Sequence, residues 1–181
     1  MKQIAGGVCA ATGFSASGVH CGIRKNKTKR DLALIYSSVP ASAAAVYTTN
    51  LVKGAPLVVT KQHLADGKAQ AIICNSGNAN TCNANGIEIA EGMCSLVEQY
   101  IGVKAEDVIV ASTGVIGQPM TLEPFEKNFG KLADSLEDTP AGGTRAAEAI
   151  MTTDTVSKRS PCASPWAAKR ASGAASPRVA A

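Results

Sequence analysis

Short apolar runs alternate along the chain with longer stretches in which apolar residues recur at helical spacing. The short runs are typical of buried strands, which we expect at residues 31–36, 43–49, 57–60, 71–74 and 108–111. The helical spacing predicts helices at residues 61–65, 86–101, 122–136 and 144–151, the last two separated by a breaker run, 139–143. Strands that alternate with helices predict an α/β fold.

Two of the predicted strands end in short polar segments of small residues. Residues 75–80 (NSGNAN) follow the strand 71–74, and residues 112–117 (STGVIG) follow the strand 108–111. In α/β proteins, ligands usually bind at such strand ends, where backbone N–H groups are accessible. Both segments can equally be ordinary turns, and composition alone leaves the two interpretations open.

The segment 112–117 contains a threonine followed by a glycine. Thr113 and Gly114 offer a hydroxyl donor beside a backbone N–H that no side chain shields. Two donors directed at one point suit a carbonyl oxygen that becomes an oxyanion during acyl transfer, and one such donor contributes about 3 kcal/mol. Thr-Gly pairs are also common in turns. The hydroxyl-rich segment 151–155 (MTTDT) is by itself more typical of a helix end with Asx and Ser/Thr turns.

Charge and hydropathy argue against a nucleic-acid or membrane partner. The net charge of +4 comes from residues 158–181, which hold five basic and no acidic side chains, whereas basic and acidic residues nearly balance elsewhere. The body therefore lacks the electrostatic footprint of a phosphate-binding surface. No apolar run approaches the roughly 20 residues that span a bilayer, and the start of the chain lacks a secretory signal. We expect a cytoplasmic protein with reduced thiols.

The candidate nucleophiles and metal ligands are unconvincing. His20 and His63 lie near no ligand-like pair, and the six cysteines form no Cys-x-x-Cys motif, so we expect no metal. Cys74 and Cys94 lie in apolar patterns, which favours a place in the core. Neither phosphate-loop motif is present, and we expect no cofactor.

Seven blocks of sequence, in order, resemble the ornithine acetyltransferase (glutamate N-acetyltransferase) family. They are GF at 13–14 with GVHCGI at 18–23, DLALI at 31–35, PASAAAVYTTN at 40–50, AP at 55–56, NSGNAN at 75–80, STGVIG at 112–117 and AIMTTDT at 149–155. The resemblance implies the layered α/β sandwich of that family's N-terminal domain. It covers the chain from near its start to about Lys158.

The resemblance implies a two-step acetyl transfer in the cyclic route of arginine biosynthesis. Acetyl passes from N2-acetylornithine to glutamate, and acetyl-CoA is a further donor substrate in some members. The nucleophile is the threonine that begins the β chain after self-cleavage, and the assembly is an α2β2 heterotetramer. Thr113 and Gly114 fall on the oxyanion hole. Thr152 falls on a substrate-binding position, which reverses the local preference for a simple helix end.

The match to the family pattern weakens after about Lys158. Residues 1–158 correspond to an α-chain-like domain, whereas residues 159–181 are rich in Ala, Ser, Pro and Arg and are predicted to form a disordered, non-homologous tail. The only Ala-Thr pair, Ala11-Thr12, lies too early to be the cleavage junction. We therefore expect a truncation or frameshift, with no nucleophile in this chain and no activity without a β chain. The alternative is an inactive remnant or an acetyl-amino-acid-binding protein.

Overall fold

A four-stranded mixed sheet forms the centre of the structure, a computed structural model that describes residues 2–3, 7–157 and 162–163, with side chains for 7–157. The strands of the chain are β1 Lys2–Gln3, β2 Phe14–Val19, β3 Leu32–Ser42, β4 Lys68–Asn78, β5 Val108–Val115 and β6 Cys162–Ala163. The central sheet has the order β2-β3-β4-β5. Its first two pairings are antiparallel and β4 pairs with β5 in parallel, while β1 pairs separately with β6.

Helices cover both faces of this sheet. They are α1 Ala55–His63, α2 Gly86–Ile101, α3 Glu123–Asp134 and α4 Pro140–Ala149. Successive residues of β3 point to opposite faces: Leu32 and Leu34 belong to the large core with α1, α2 and α3, whereas Ala33 and Ile35 pack with residues of α4. This layered arrangement confirms the predicted α/β fold class.

The large core is built on the apolar faces of α2 and α3. Phe125 and Phe129 of α3 are fully buried, as are Met93 and Val97 of α2. The predicted helix 86–101 is confirmed to its bounds, although Ile87 of the predicted apolar stripe is half-exposed. Its end at Gly102 is also as expected, because this residue has the left-handed conformation that closes a helix.

Two predicted strands are wrong. Residues 57–60 lie within α1, where Pro56 occupies the first turn, a position at which the missing N–H of proline is harmless. A short apolar run fits a buried helix as well as a strand. Residues 43–49 form neither a strand nor a helix, and Val46 among them is 97 % exposed. The only strand pairing near this segment ends at Ser42, so its apolar residues have no sheet face to cover.

The expected breaker run 139–143 is instead the beginning of a helix. Thr139 caps α4 by accepting a hydrogen bond from the Gly142 backbone N–H at 3.3 Å, and Pro140 lies in the first turn. Thr-Pro before small residues therefore marks the beginning of α4 and not a break between two helices. The predicted helix 144–151 thus begins earlier and ends at Ala149.

The described part of the chain contains no helix that is both long and apolar enough to cross a membrane. The predicted disorder of residues 159–181 and the boundary at Lys158 lie almost entirely outside the described residues, so both stay predictions.

Removal of the Phe129 ring is expected to lower the free energy of unfolding by about 3–5 kcal/mol, because Phe129→Ala leaves a cavity in a core that cannot fully collapse. Urea denaturation followed by circular dichroism measures the change. The matched control is Val46→Ala, since that side chain is 97 % exposed, and its effect should stay within about 0.5 kcal/mol. Equal effects of the two substitutions would contradict the assigned core.

Candidate functional site

The parallel pairing of β4 with β5 brings the two polar segments side by side. Asn75 pairs with Ser112, and Ser76 pairs with Thr113, along the same ladder. Residues 75–78 and 112–115 therefore belong to β4 and β5, which extend beyond the predicted strands 71–74 and 108–111. The strands were predicted too short because small polar residues also favour turns.

An open cleft of about 430 Å³ lies at this end of the sheet. Thr113, Gly114 and Thr152, the three residues predicted for the site, all line it. The other described lining residues are Arg24, Gly77, Val115 and Thr153. Residues far apart in the sequence thus meet at one surface, as a ligand site requires. Their individual roles stay predictions.

Gly114 lies in close contact with the neighbouring strand. Its φ is +137°, a conformation that side chains rarely adopt, and a Cβ there would collide with the backbone of Gly77 and Asn78. The two strands also shift register at Asn78, which pairs with both Thr113 and Val115. Glycine at position 114 is therefore required for this close approach, and it turns the backbone beside Thr113 out of the regular strand path.

The Asp31 carboxylate fixes the loop that follows β2. It is fully buried and accepts hydrogen bonds from the backbone N–H groups of Cys21 at 2.5 Å, Gly22 at 3.2 Å and Arg24 at 2.9 Å. His20 lies 3.2 Å from the same carboxylate through Nδ1. Charge-assisted bonds of this kind are roughly twice as strong as neutral ones. The loop is consequently held with Arg24 over the cleft.

A chain of hydrogen bonds connects Arg24 to the end of α4. Nε of Arg24 donates to Ser76 Oγ at 3.1 Å, and Ser76 Oγ donates to the Ala149 carbonyl at 2.5 Å. Ala149 is the last residue of α4, and Thr152 follows only three positions later. The chain of contacts therefore explains how Thr152 and Thr153 come to line the same cleft as β5.

Buried asparagines fix the polar end of β4 and the segment that follows it. Asn75 Nδ2 donates to the Asn78 carbonyl at 2.9 Å, and Asn78 Nδ2 donates to the Gln118 carbonyl at 2.9 Å. Asn80 is buried as well, and its Nδ2 donates to the Gly86 carbonyl at the start of α2 at 2.7 Å. Asparagine supplies both donors and an acceptor, which suits backbone that no longer follows a ladder. The segment 75–80 is thus structural support for the cleft.

The described cysteines are free thiols, and the buried ones are poor nucleophiles. Burial raises the pKa of Cys74 to about 12. Burial first and then the Glu91 charge raise the pKa of Cys94 to about 12. Cys94 belongs to the large core, and Cys74 is also buried, which confirms the predicted place of both in the core. Cys162 lies in a position whose side chain is not described.

Sequence reasoning missed Arg24 as a lining residue, whereas Gly77, Val115 and Thr153 lie within the segments 75–80, 112–117 and 151–155 without having been named individually. Arg24 directly follows the block 18–23, so its proximity to a recognised motif was the one available signal. Its place in the cleft depends on contacts with Asp31 and Ser76, which lie 7 and 52 positions away. Such long-range contacts have no local sequence signature.

Comparison with known proteins gives a consistent assignment. A model of the ArgJ family matches residues 15–172. Among curated proteins, the arginine biosynthesis bifunctional protein ArgJ of Symbiobacterium thermophilum is 46% identical over 161 residues, 88% of this chain and 40% of that protein. The ArgJ of Gloeobacter violaceus is 48% identical over 159 residues, 87% of this chain and 38% of that protein. The chain spans about two fifths of the length of these curated relatives.

Two solved structures share the fold. The crystal structure of the arginine biosynthesis bifunctional protein argJ from Bacillus halodurans superposes with a TM-score of 0.78 at 41% identity, covering 83% of this chain and 78% of that one. The ornithine acetyltransferase of Mycobacterium tuberculosis, solved in complex with ornithine, gives a TM-score of 0.78 at 36% identity, covering 83% and 81%.

A methyl group at position 114 is expected to destabilise the end of the sheet. In Gly114→Ala the positive φ and the collision with Gly77 act together, so the free energy of unfolding should fall by about 2 kcal/mol or more. Gly117→Ala is the matched control, because Gly117 also has a positive φ but open space around it, and about 1 kcal/mol is expected. Urea denaturation of both variants decides, and a smaller loss in Gly114→Ala than in the control would contradict the close contact.

Thiol labelling tests the assignment of the cysteines. At pH 8, iodoacetamide should alkylate the exposed Cys82 in the native protein, whereas Cys74 and Cys94 should react only after unfolding, since their raised pKa values and burial keep them as protected thiols. Peptide mapping by mass spectrometry identifies the modified residues. Rapid labelling of Cys74 in the native protein would show that the core is assigned wrongly.

Proposed function

The chain belongs to the ArgJ family, and on that premise we propose that it supplies the oxyanion hole and part of the substrate site for acetyl transfer from N2-acetylornithine to glutamate. The products are ornithine and N-acetylglutamate, and acetyl-CoA is a possible second donor. The observation that carries the proposal is that Thr113, Gly114 and Thr152 line one cleft although Thr152 is far from the others in the sequence.

The reaction proposed has two steps through a covalent acetyl-enzyme. A threonine at the start of a β chain, with its own α-amine as base, attacks the acetyl carbonyl carbon of N2-acetylornithine. The tetrahedral intermediate collapses, the C–N bond breaks and ornithine leaves with a proton. The α-amine of glutamate then attacks the acetyl ester, and the threonine hydroxyl is released. Both steps develop negative charge on the same acetyl oxygen.

Thr113 and Gly114 are the proposed donors to that oxygen. The Thr113 hydroxyl has no hydrogen-bond partner among the described residues, so it is available to donate to a ligand in the cleft. The positive φ of Gly114 turns the adjoining backbone away from the regular ladder, which supports a role for its N–H in the same site. Donors fixed by a strand need no reorganisation when the charge develops.

Thr152 is the proposed contact to the amino-acid part of the substrate. It follows the end of α4, which the hydrogen bond from Ser76 to the Ala149 carbonyl fixes against β4. Its hydroxyl also has no partner among the described residues. Thr152 lies in a bend just beyond this fixed helix end, so its position is tied to that of β4.

The nucleophile is proposed to come from a β chain, in an α2β2 heterotetramer located in the cytoplasm. The threonines that line the described cleft are internal residues without an α-amine of their own, and no histidine or carboxylate lies among the described lining residues to act as base instead. The cleft is open to solvent on one side, which leaves room for another chain to complete it. In this proposal the isolated chain is inactive.

Co-expression of the chain with a β chain of the ArgJ family tests the proposal. The complex should transfer acetyl from N2-acetylornithine to glutamate, and Thr113→Ala should lower kcat by about 10²–10³-fold with little change in acetylornithine binding. The matched control is Thr28→Ala, an exposed threonine outside the cleft, which should keep full activity. Acetyl-enzyme is detected by mass spectrometry. A folded complex that binds N2-acetylornithine without transfer would favour a binding protein instead.

A further inference from the structure

Arg24 carries the only charge among the described residues that line the cleft. The other described lining residues are glycines, threonines and one valine. An isolated positive charge at a cleft of neutral residues is an electrostatic preference for an anionic group.

Three contacts determine where the Arg24 guanidinium lies. Its backbone N–H is bound by the Asp31 carboxylate at 2.9 Å, and its Nε donates to Ser76 Oγ at 3.1 Å. Its side-chain stem passes over Gly77, where an added Cβ would come within 2.9 Å of Arg24 Cγ. Gly77 pairs with Gly114 across the parallel ladder. The guanidinium is therefore held beside the proposed oxyanion hole.

One nitrogen of this guanidinium lacks a partner. Nη2 of Arg24 is buried and has no hydrogen-bond acceptor within the described residues. A buried donor of a charged group is unfavourable when it is left unpaired, so an acceptor from outside these residues is expected. Arginine differs from lysine in presenting adjacent N–H donors in a fixed plane, which match the two oxygens of a carboxylate.

We propose that Arg24 binds the α-carboxylate of the acetylated amino acid. This inference rests on the proposed function, and it adds to that function the group that recognises the substrate as an amino acid. Ornithine has a cationic side chain and glutamate an anionic one, so a fixed cation near the side chain would repel the first substrate while attracting the second. The α-carboxylate is the charge that both substrates share.

The covalent structure of the substrate agrees with this assignment. In an N-acetyl amino acid, the acetylated nitrogen and the carboxylate are attached to the same Cα, so the carboxylate lies only a few bonds from the acetyl carbonyl. A cation that binds it must therefore lie close to the donors that bind the acetyl oxygen. Arg24 meets this condition because its stem crosses Gly77, the pairing partner of Gly114.

Ligand pairs that differ only in the carboxylate test the proposal directly. Titration calorimetry of the co-expressed complex measures the binding of N2-acetylornithine and of its α-carboxamide. The wild-type complex should prefer the carboxylate by about 10- to 100-fold, as expected for a charge-assisted bond. In Arg24→Gln this preference should disappear, because the substitution weakens the binding of N2-acetylornithine and leaves the binding of the carboxamide unchanged. Arg24→Lys should retain part of it.

Steady-state kinetics provide the second readout. Arg24→Gln should raise KM for both N2-acetylornithine and glutamate by about 10-fold or more with kcat changed much less. The reason is that the lost interaction with the carboxylate is equally strong in the bound ground state and in the transition state. Lys25→Gln is the matched control, because Lys25 is the next residue in the chain, is exposed and does not line the cleft. It should change neither KM.

Each outcome decides between distinct conclusions. A wild-type complex that binds carboxylate and carboxamide equally, or an Arg24→Gln complex that keeps the full preference, overturns the role of Arg24 and leaves acetyl transfer intact. A complex that neither binds N2-acetylornithine nor transfers acetyl overturns the proposed function and this inference with it. If Arg24→Gln does not fold, the carboxamide comparison in the wild type and in Arg24→Lys still decides.

Discussion

The Asp31 carboxylate has no contact with solvent, and a carboxylate is tolerated in such surroundings only when hydrogen bonds replace the water it has lost. Three backbone N–H groups of the loop after β2 supply them. The Asp31 carbonyl also accepts a hydrogen bond from the Ser76 backbone N–H at 2.8 Å. One residue thereby ties a loop, the start of β3 and the polar end of β4 to each other. The cleft depends on this connection because Arg24 of that loop and Gly77 of β4 both line it.

The parallel direction of the β4–β5 pair is the second constraint on the site. The carboxyl ends of parallel strands lie at the same edge of a sheet, so polar segments that follow two such strands must meet there. An antiparallel pairing would have placed segments 75–80 and 112–117 at opposite edges. The connection between the strands contains α2, the amphipathic helix that such a parallel crossover requires.

Sequence reasoning recovered the elements with strong local signals and missed those set by distant contacts. The helix Gly86–Ile101 carried an amphipathic pattern, a capping glycine and sufficient length, so several signals agreed. Residues 57–60 carried only a short apolar run, which does not distinguish a strand from a buried helix. Local chemistry indicated Thr113 and Gly114 as paired donors, and the family resemblance supported that pair and added Thr152. Their common cleft is a property of the fold. Arg24 was missed because nothing within a few residues of it, apart from the neighbouring block 18–23, shows that Asp31 and Ser76 will bind it.

The hydrogen bonds that hold Arg24 at its backbone N–H and at Nε have a thermodynamic consequence. A free arginine side chain at a surface samples many rotamers, and ordering it upon binding a ligand costs about 2 kcal/mol of conformational entropy. Here the stem lies against Gly77 and Nε is bound to Ser76, so much of that ordering has already occurred when the chain folds. The entropy is thus lost during folding of the protein instead of at each encounter with a ligand, and the cleft presents its charge in a single orientation before anything enters.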